Sequence, residues 1–207
     1  MTKEKIVAQA LLKTEAVKLN VASPFTFVSG IKSPIYCDNR QMIAYPEERA
    51  IFVKEFITKL EDKNFDVIAG TATAGIPWAA FIAWEMKKPM SYIRAEKKEH
   101  GAGKQIEGAD LNGKKVIIIE DLISTGGSSI KAVEAAYAAG ATEVEVIAIF
   151  SYEFEKAFTN FAAQKIKWES LSNFSALIEL AKEEKYLTTE EAEIAAKWNK
   201  SPNTWGV

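Results

Sequence analysis

Residues 116–129 read Val-Ile-Ile-Ile-Glu-Asp-Leu-Ile-Ser-Thr-Gly-Gly-Ser-Ser, and this stretch decides the fold. The apolar run from Val116 to Ile119 is typical of a strand that is buried on both faces of a sheet. Two acids, Glu120 and Asp121, follow at once, and a turn of hydroxyl residues and glycines comes after them. Apolar residues then recur at helical spacing among several alanines, so the stretch predicts a strand, a loop and a helix in succession.

The loop at the start of this predicted helix is suited to an anion. The first N–H groups of a helix have no partner within the helix, and the helix dipole adds partial positive charge there. Glu120 and Asp121 would repel a bare phosphate, whereas a sugar phosphate supplies hydroxyls for the acids and a place for Mg²⁺. A Walker-type nucleotide loop is excluded because the Gly-Lys-Ser/Thr ending is missing. An ordinary buried strand that ends in a polar turn is the alternative interpretation of this stretch alone.

Two acids ahead of a turn rich in hydroxyls and glycine resemble the 5-phosphoribosyl-1-pyrophosphate (PRPP) signature of the type I phosphoribosyltransferases. The resemblance implies that Glu120 and Asp121 accept hydrogen bonds from the ribose hydroxyls and that the turn wraps the 5′-phosphate. It also implies an α/β fold with a central, mostly parallel sheet flanked by helices and a small N-terminal hood.

Length and composition favour a single domain over residues 1–207, because 48% hydrophobic content is enough for a full core. With 26 basic and 28 acidic residues the net charge is -2, which argues against a nucleic-acid partner. The single cysteine, Cys37, cannot form an internal disulfide and fits a reducing compartment. No apolar run approaches 18 residues, so we expect a cytoplasmic protein without a membrane partner.

The remaining elements are predicted from hydrophobic period and turn residues. Aromatic residues between turn signals indicate a small hood over about residues 20–45. Strands that alternate with helices indicate a parallel sheet with helices on both faces. The last helix should begin at a capping box, Thr188 with Glu191. We predict helices at 3–19, 46–60, 76–86 and 153–163 with two more at the C-terminus, and strands at 25–28, 34–38, 66–70, 90–93 and 143–150, with a short strand or turn at 167–168.

Residues 94–109 are polar, contain three glycines and have no hydrophobic period, so we predict a long mobile loop. In an open parallel sheet, ligands bind beyond the carboxyl ends of the strands. The loops at 70–75, 94–109 and 120–128 should therefore share one edge. His100 is the only histidine, and its place among charged residues favours a functional role over a structural one.

Four motifs in order resemble those of orotate phosphoribosyltransferases. Residues 25–34 are similar to their pyrimidine hood, and Thr73-Ala-Gly-Ile-Pro77 to their pyrophosphate loop. The segment from Arg94 to Gly108, with Lys98 and His100, is similar to their flexible loop, and residues 120–128 are similar to their PRPP loop. The resemblance implies that orotate and PRPP are converted to orotidine 5′-monophosphate and pyrophosphate with Mg²⁺, in a homodimer whose loop reaches across the interface.

The resemblance also implies a role for individual residues. The catalytic groups would be Arg94, Lys98, His100 and Asp121, and Mg²⁺ would be held mainly by PRPP and water rather than directly by the protein. Orotate would be contacted by Tyr36, Cys37, Ser124 and Arg40, although Arg40 could equally be a surface arginine. PRPP would be contacted by Thr73, Ala74, Arg94, Lys98, His100, Glu120, Asp121, Leu122, Ile123, Ser124, Thr125, Gly126, Gly127 and Ser128.

The chain also departs from the family pattern. Some branches carry lysines where this chain has Val28, Ala74 and Ala95, and an arginine that has no counterpart in residues 151–155. We therefore expect backbone N–H groups and Mg²⁺ to hold more of the pyrophosphate here. Two alternatives share the PRPP signature, namely a purine-type phosphoribosyltransferase and a regulatory protein that binds PRPP as an effector.

Overall fold

The structure is a computed structural model that describes residues 1–27, 30–96 and 105–205. Strands and helices alternate along most of the chain, as the hydrophobic pattern predicts. The elements, in order, are α1 (Lys3–Lys13), β1 (Val17–Leu19), β2 (Phe25–Thr26), β3 (Lys32–Ser33), β4 (Ile35–Cys37), a 3-10 helix (Asn39–Ala44), α2 (Pro46–Leu60), β5 (Val67–Thr71), α3 (Gly75–Met86), β6 (Met90–Ile93), β7 (Ile106–Gly108), β8 (Lys115–Ile123), α4 (Gly127–Ala138), β9 (Glu143–Ser151), α5 (Glu155–Ala163), β10 (Lys167–Asn173), α6 (Phe174–Glu183) and α7 (Thr189–Lys200).

The main sheet has six strands in the order β10, β9, β8, β5, β6 and β7. The first five of these run parallel, and β7 pairs antiparallel with β6 at one edge. Such an arrangement confirms the predicted mostly parallel sheet. Since connections between parallel strands must cross over the sheet, the intervening helices cover its two faces.

Strand β8 is buried on both faces, as its unbroken apolar run predicts. Ile117 and Ile119 belong to one hydrophobic cluster, and Val116 and Ile118 belong to the other. The strand does not stop at Ile119, however. Its pairing with β9 continues through Glu120 to Ile123, so the two acids lie in the last part of the strand rather than in the loop after it.

The helices lie on both faces of the sheet, as predicted. Residues of α1, α2, α3, α6 and α7 pack with one face in the larger cluster, whereas α4 and α5 cover the other face. The capping box at Thr188 and Glu191 is present at the start of α7. Within the described ranges, no helix combines the length and the apolarity that crossing a bilayer would require.

Three further predicted boundaries are wrong. Helix α1 ends at Lys13, because the Thr14 hydroxyl turns back to the carbonyl of Ala10 at 2.8 Å and Glu15 adopts a left-handed φ of 55°. Residues 17–19 then form a strand that pairs with β4. Part of the predicted loop forms β7, because these residues pair with β6. The expected short strand near 167 extends to Asn173, because it pairs with β9 along its length. Local hydrophobic periodicity indicated neither pairing.

The predicted hood, residues 20–45, contains a hairpin of β2 and β3, the strand β4 and the 3-10 helix. Residues 28 and 29, which follow β2 in the sequence, lie outside the described residues. Strand β4 also pairs with β1, which links the hood to the end of α1. A short hairpin of this size is marginal by itself, so its position depends on the elements beneath it.

Two glycines allow main chain to pack against main chain where β5 turns into α3. A Cβ added at Gly70 would lie 2.8 Å from the carbonyl oxygen of Gly75. A Cβ added at Gly75 would collide with the carbonyl oxygen of Ile119 in β8. Because neither obstacle is a flexible side chain, the start of α3 can approach the sheet only with glycine at these positions.

We predict that Gly75→Ala lowers the free energy of unfolding by about 2–3 kcal/mol, because the new methyl group overpacks against the backbone of β8. Gly127→Ala is the matched control, since a Cβ there meets nothing within 4 Å. The control should stay within about 0.5 kcal/mol of the parent chain. Urea unfolding monitored by circular dichroism measures both, and equal stability of the two variants would contradict the packing argument.

Candidate active site

Three loops leave the sheet at one edge, because β5, β6 and β8 run parallel. Thr71 at the end of β5 is in register with Ile93 at the end of β6, and Gly70 is in register with Ile119. The segments that follow these strand ends are the loop before α3, the residues from Arg94 onward, and the acids with the turn before α4. The structure therefore brings together the three elements that the sequence assigned to anion binding.

Glu120 lies at this edge with its side chain only 4% exposed. Its carboxyl group accepts hydrogen bonds from the hydroxyls of Ser129 at 3.1 Å and Ser128 at 3.3 Å. The other carboxyl oxygen accepts the N–H of Asp121 at 3.2 Å. Both serines belong to the first turn of α4, so this carboxyl group links the end of the central strand to the start of the helix.

The two acids are close enough to perturb each other. Burial, with the adjacent Asp121 as a second cause, raises the pKa of Glu120 to about 7. Burial also raises the pKa of Asp121, while hydrogen bonds from Glu120 and from main-chain N–H groups act in the opposite direction. A cation or hydroxyl donors placed beside this pair would stabilise its ionised form.

The turn from Ser124 to Ser128 is shaped by Gly126, which has a φ of 79°. A Cβ at this position would lie 2.7 Å from the Phe161 ring of α5, so both conformation and packing require glycine. The side-chain amide of Asn160 in α5 donates to the carbonyl of Thr125 at 2.9 Å and so holds the turn against α5. Ser124, Gly127 and Ser128 remain exposed, and the N–H groups of the first turn of α4 follow them.

Leu122 and Ile123, which were also assigned to PRPP, belong to strand β8. The side chain of Ile123 is 1% exposed and packs in the core. Its carbonyl accepts the N–H of Tyr152 at 3.0 Å.

The predicted pyrophosphate loop is a short turn between β5 and α3. The N–H of Ala72 donates to the carbonyl of Ile93 at 2.8 Å, which ties the loop to the end of β6. The peptide bond between Ala72 and Thr73 is cis. Thr73 is exposed and Ala74 is half-buried, so both are accessible from the edge of the sheet.

Arg94 follows β6 directly and is half-buried. Its N–H donates to the carbonyl of Gln105 at 2.9 Å, and its own carbonyl accepts the side-chain amide of Gln105 at 3.0 Å. The two ends of the predicted flexible loop are therefore hydrogen-bonded to each other. Lys98 and His100, the other two predicted catalytic groups of the loop, lie outside the described residues.

The hood is joined to the acid strand through Asn39. This residue is 1% exposed, and its amide donates to the main-chain carbonyl of Asp121 at 2.6 Å. The Cys37 thiol lies 3.2 Å from the side-chain oxygen of Asn39, and burial, followed by the charges of Asp121 and Asp38, raises the pKa of this thiol. Tyr36 is 39% exposed on the neighbouring position of β4, so its ring is available above the same edge.

Arg40, the candidate for the orotate carboxylate, forms an ion pair with Asp38. Its Nε lies 2.6 Å from Oδ1 and a terminal nitrogen lies 3.0 Å from Oδ2. The hydrogen bonds from this guanidinium lower the pKa of Asp38. The Arg40 side chain is 65% exposed, so it can reach a ligand only by exchanging or sharing its contact with Asp38.

Two residues of this site were missed by the sequence reasoning. Asn39 lies in the polar run Cys-Asp-Asn-Arg, which carries no periodic signal. Ser129 follows Ser128 in the first turn of α4, and the paired hydroxyls after two glycines were a signal that could have identified it. Across the described ranges, no group of three or more His, Cys, Asp or Glu side chains is arranged to hold a metal ion.

The sequence model of the phosphoribosyl transferase domain family matches residues 44–179. These residues include all six strands of the main sheet and the acid and glycine turn. The fold, the edge site and this match together define the class of the protein, a phosphoribosyltransferase.

More similar relatives define the family within this class. An orotate phosphoribosyltransferase of Lactococcus lactis subsp. cremoris (strain SK11) is 50% identical over 207 residues, which cover 99% of each chain. One of Streptococcus pneumoniae serotype 19F (strain G54) is 49% identical with the same coverage. The crystal structure of orotate phosphoribosyltransferase from Aeropyrum pernix is 25% identical with a TM-score of 0.75, and the match covers 87% of this chain and 99% of that one. The chain belongs to the orotate phosphoribosyltransferase family.

We predict that the buried Glu120 makes stability depend on pH. Its pKa is about 7 in the folded chain against an ordinary 4.5, so between these values the folded chain binds more protons than the unfolded chain. The free energy of unfolding should therefore fall as pH rises from 4.5 to about 7, by up to about 3 kcal/mol from this group. Urea unfolding over this range measures the slope.

The variant Glu120→Gln removes this titration and should flatten the slope. Glu134→Gln, on the exposed face of α4, is the matched control and should keep the slope of the parent chain. If Glu120→Gln kept the parent slope of unfolding free energy against pH, the pH dependence would belong to other groups.

Proposed function

We infer that this chain transfers ribose 5-phosphate from PRPP to orotate, giving orotidine 5′-monophosphate and pyrophosphate in pyrimidine nucleotide synthesis. The observation that carries this inference is the hydrogen bond from Asn39 to the carbonyl of Asp121. It joins the hood, to which we assign the pyrimidine, to the strand that carries the acids to which we assign the ribose. Full-length relatives that are orotate phosphoribosyltransferases support the same reaction.

The reaction is a nucleophilic substitution at C1 of the ribose. The bond from C1 to the pyrophosphate oxygen breaks, positive charge develops on the sugar ring, and N1 of the pyrimidine forms the new bond. Asp121 and Glu120 would hold the ribose hydroxyls, and the turn from Ser124 to Ser128 would hold the 5′-phosphate with main-chain N–H groups. Preorganised donors of this kind stabilise charge because they need no reorganisation as the reaction proceeds.

The leaving pyrophosphate would be received by the loop at Thr73 and Ala74 and by the cations of the loop that begins at Arg94. Ala74 carries no charge, so main-chain N–H groups there must contribute more of the binding. Closure of the loop with Lys98 and His100 over the site would neutralise the leaving group and keep water from the electrophilic sugar. Tyr36, Cys37 and Ser124 would contact the base, with Arg40 available for its carboxylate after release from Asp38.

Mg²⁺ is the cofactor that we propose. The donor set fits it, because the adjacent carboxyl groups of Glu120 and Asp121 both have pKa values raised by burial, which a nearby divalent cation would reverse. When bound beside Glu120 and Asp121, Mg²⁺ would supply Lewis-acid stabilisation of the negative charge that develops on the leaving pyrophosphate. PRPP and water would be its main ligands, since Mg²⁺ keeps several waters and favours phosphate oxygens.

A homodimer is the assembly that we propose, with the face of α2 and α3 as its contact surface. Trp84 on α3 is 82% exposed, and a groove beside it is lined by Val53, Ile57 and Phe81. An exposed tryptophan beside an apolar groove is typical of a protein contact. Helix α3 packs against β6, the strand that leads to Arg94.

We also propose that the enzyme works in the cytoplasm without a nucleic-acid partner. The nearly balanced charge of 26 basic and 28 acidic residues supports the second part. The single thiol of Cys37, which lies inside the site rather than on the surface, suits a reducing compartment.

We predict that the purified chain with PRPP and Mg²⁺ depletes orotate, measured as loss of its near-ultraviolet absorbance. Removal of Mg²⁺ with a chelator should abolish the loss, and added Mg²⁺ should restore it. Lys98→Ala and His100→Ala should each lower turnover on the order of a hundredfold with little change in stability. Turnover of adenine or xanthine without turnover of orotate would replace this assignment with a purine-type enzyme.

We predict that the loop of one subunit serves the site of the other. Lys98→Ala and Asp121→Asn should each be inactive alone, whereas their co-expression creates mixed dimers with one intact site. Activity should then recover to about a quarter of the parent level, because half of the dimers are mixed and each has one complete site. Co-expression of Lys98→Ala with His100→Ala is the control, since no mixed dimer of these two contains an intact loop. Recovery in the control, or none in the test pair, would contradict a loop shared in this way.

A further inference from the structure

Helix α7 contacts the hood, although the two contacting residues are 166 positions apart in the chain. Trp198 of α7 is fully buried, and its indole N–H donates to the carbonyl of Lys32 in β3 at 2.9 Å. Lys32 belongs to the hairpin that forms the outer part of the hood. The hairpin therefore has a fixed anchor on the C-terminal helix in addition to its own short ladder.

An aromatic cluster surrounds this anchor. The Trp198 ring lies edge-on to Tyr152 at 5.9 Å and to Phe154 at 5.5 Å between ring centroids. It also lies edge-on to Phe27, the residue at the end of the hood hairpin, at 6.5 Å. Edge-to-face pairs at such distances are favourable and directional, so they fix orientation as well as contact.

The hairpin in turn contacts the residue assigned to the base. The ring of Phe25 in β2 lies 5.7 Å from the ring of Tyr36 in β4. Trp198 and Tyr36 thus both contact the hairpin. Trp198 does so through Lys32 and Phe27, and Tyr36 through Phe25. Trp198 contacts the hood at Lys32 and Phe27, the aromatic residues Tyr152 and Phe154 that follow β9, and Phe174 at the start of α6.

We propose that Trp198 is a positioning residue for the pyrimidine half of the site. It fixes the position of the hairpin, and through the hairpin the positions of the Phe25 and Tyr36 rings, so that the base can pack against the hood. The PRPP half depends on β8 and α4 instead, and so its affinity does not depend on Trp198. This role rests on the proposed transfer to orotate and adds to it a determinant that lies outside the four family motifs.

The test is steady-state kinetics of Trp198→Phe, which keeps an aromatic ring and removes the N–H donor to Lys32. The KM for orotate should rise about tenfold, as expected when a buried carbonyl loses its donor and the hairpin shifts. The Kd for PRPP with Mg²⁺, measured by calorimetry, should stay within about twofold of the parent value, since uninvolved sites change little.

Asn199→Ala is the matched control for a purely structural effect. The Asn199 amide donates to the carbonyl of Tyr152 at 2.5 Å, so its loss weakens the docking of α7 while the hydrogen bond from Trp198 to Lys32 and the Trp198 ring contacts are kept. The control should lower the thermal midpoint as Trp198→Phe does, while the KM for orotate stays unchanged. A parallel rise of orotate KM and PRPP Kd in Trp198→Phe, or equal effects on orotate KM in both variants, would overturn the proposal.

Phe27→Leu tests the same contact from the hood side and covers the case in which Trp198→Phe does not fold. It removes a ring from the hairpin without altering α7, and it should reproduce the selective rise in orotate KM. An unchanged orotate KM in a folded, active Phe27→Leu chain would overturn the proposal as well. A parent chain that does not turn over orotate at all would instead reject the proposed function, so the two failures are distinct.

Discussion

The buried carboxyl group of Glu120 is the interaction on which the rest of the site depends. It lies at the end of the central strand, accepts hydroxyls from the first turn of α4, and shares the edge with Asp121. An isolated buried carboxylate is costly, and here the cost is limited by three hydrogen bonds and by partial protonation. The strand and the helix are thereby fixed relative to each other, and the turn between them has little freedom.

The two halves of the site differ in how they are held. The ribose and phosphate half is built from adjacent segments of chain, because β8, its turn and α4 follow one another directly. The hood is held by contacts from distant segments, through Asn39 to β8 and through Trp198 of α7. Local chemistry therefore determines the first half, whereas packing of the whole chain determines the second.

This difference explains what the sequence could predict. The apolar run at 116–119, the helix from Pro46 and the capping box at Thr188 are local signals, and all three are confirmed. The extension of β8 through Glu120 to Ile123 was missed because charged residues do not look like a buried strand, and only pairing with β9 makes one.

The remaining misses also arise from distant partners. Strand β10 exists because β9 offers an edge, and Val17–Leu19 is a strand because β4 lies beside it. The ion pair between Arg40 and Asp38 is a local exception. The sequence shows that the two residues are close, but it does not show whether their side chains pair. Roles that depend on Lys98 and His100 stay predictions from the family resemblance.

Three of the hydrogen bonds that frame the site share one chemical feature, since each runs from a side chain to a main-chain carbonyl. Asn39 reaches Asp121, Asn160 reaches Thr125 and Trp198 reaches Lys32 in this way. A carbonyl is present whatever side chain its residue carries, so the residues that receive these bonds can be exchanged without loss of the bond. These three hydrogen bonds are thus insensitive to the side chains at Lys32, Asp121 and Thr125, so a substitution that alters a ligand contact there leaves the main-chain geometry in place.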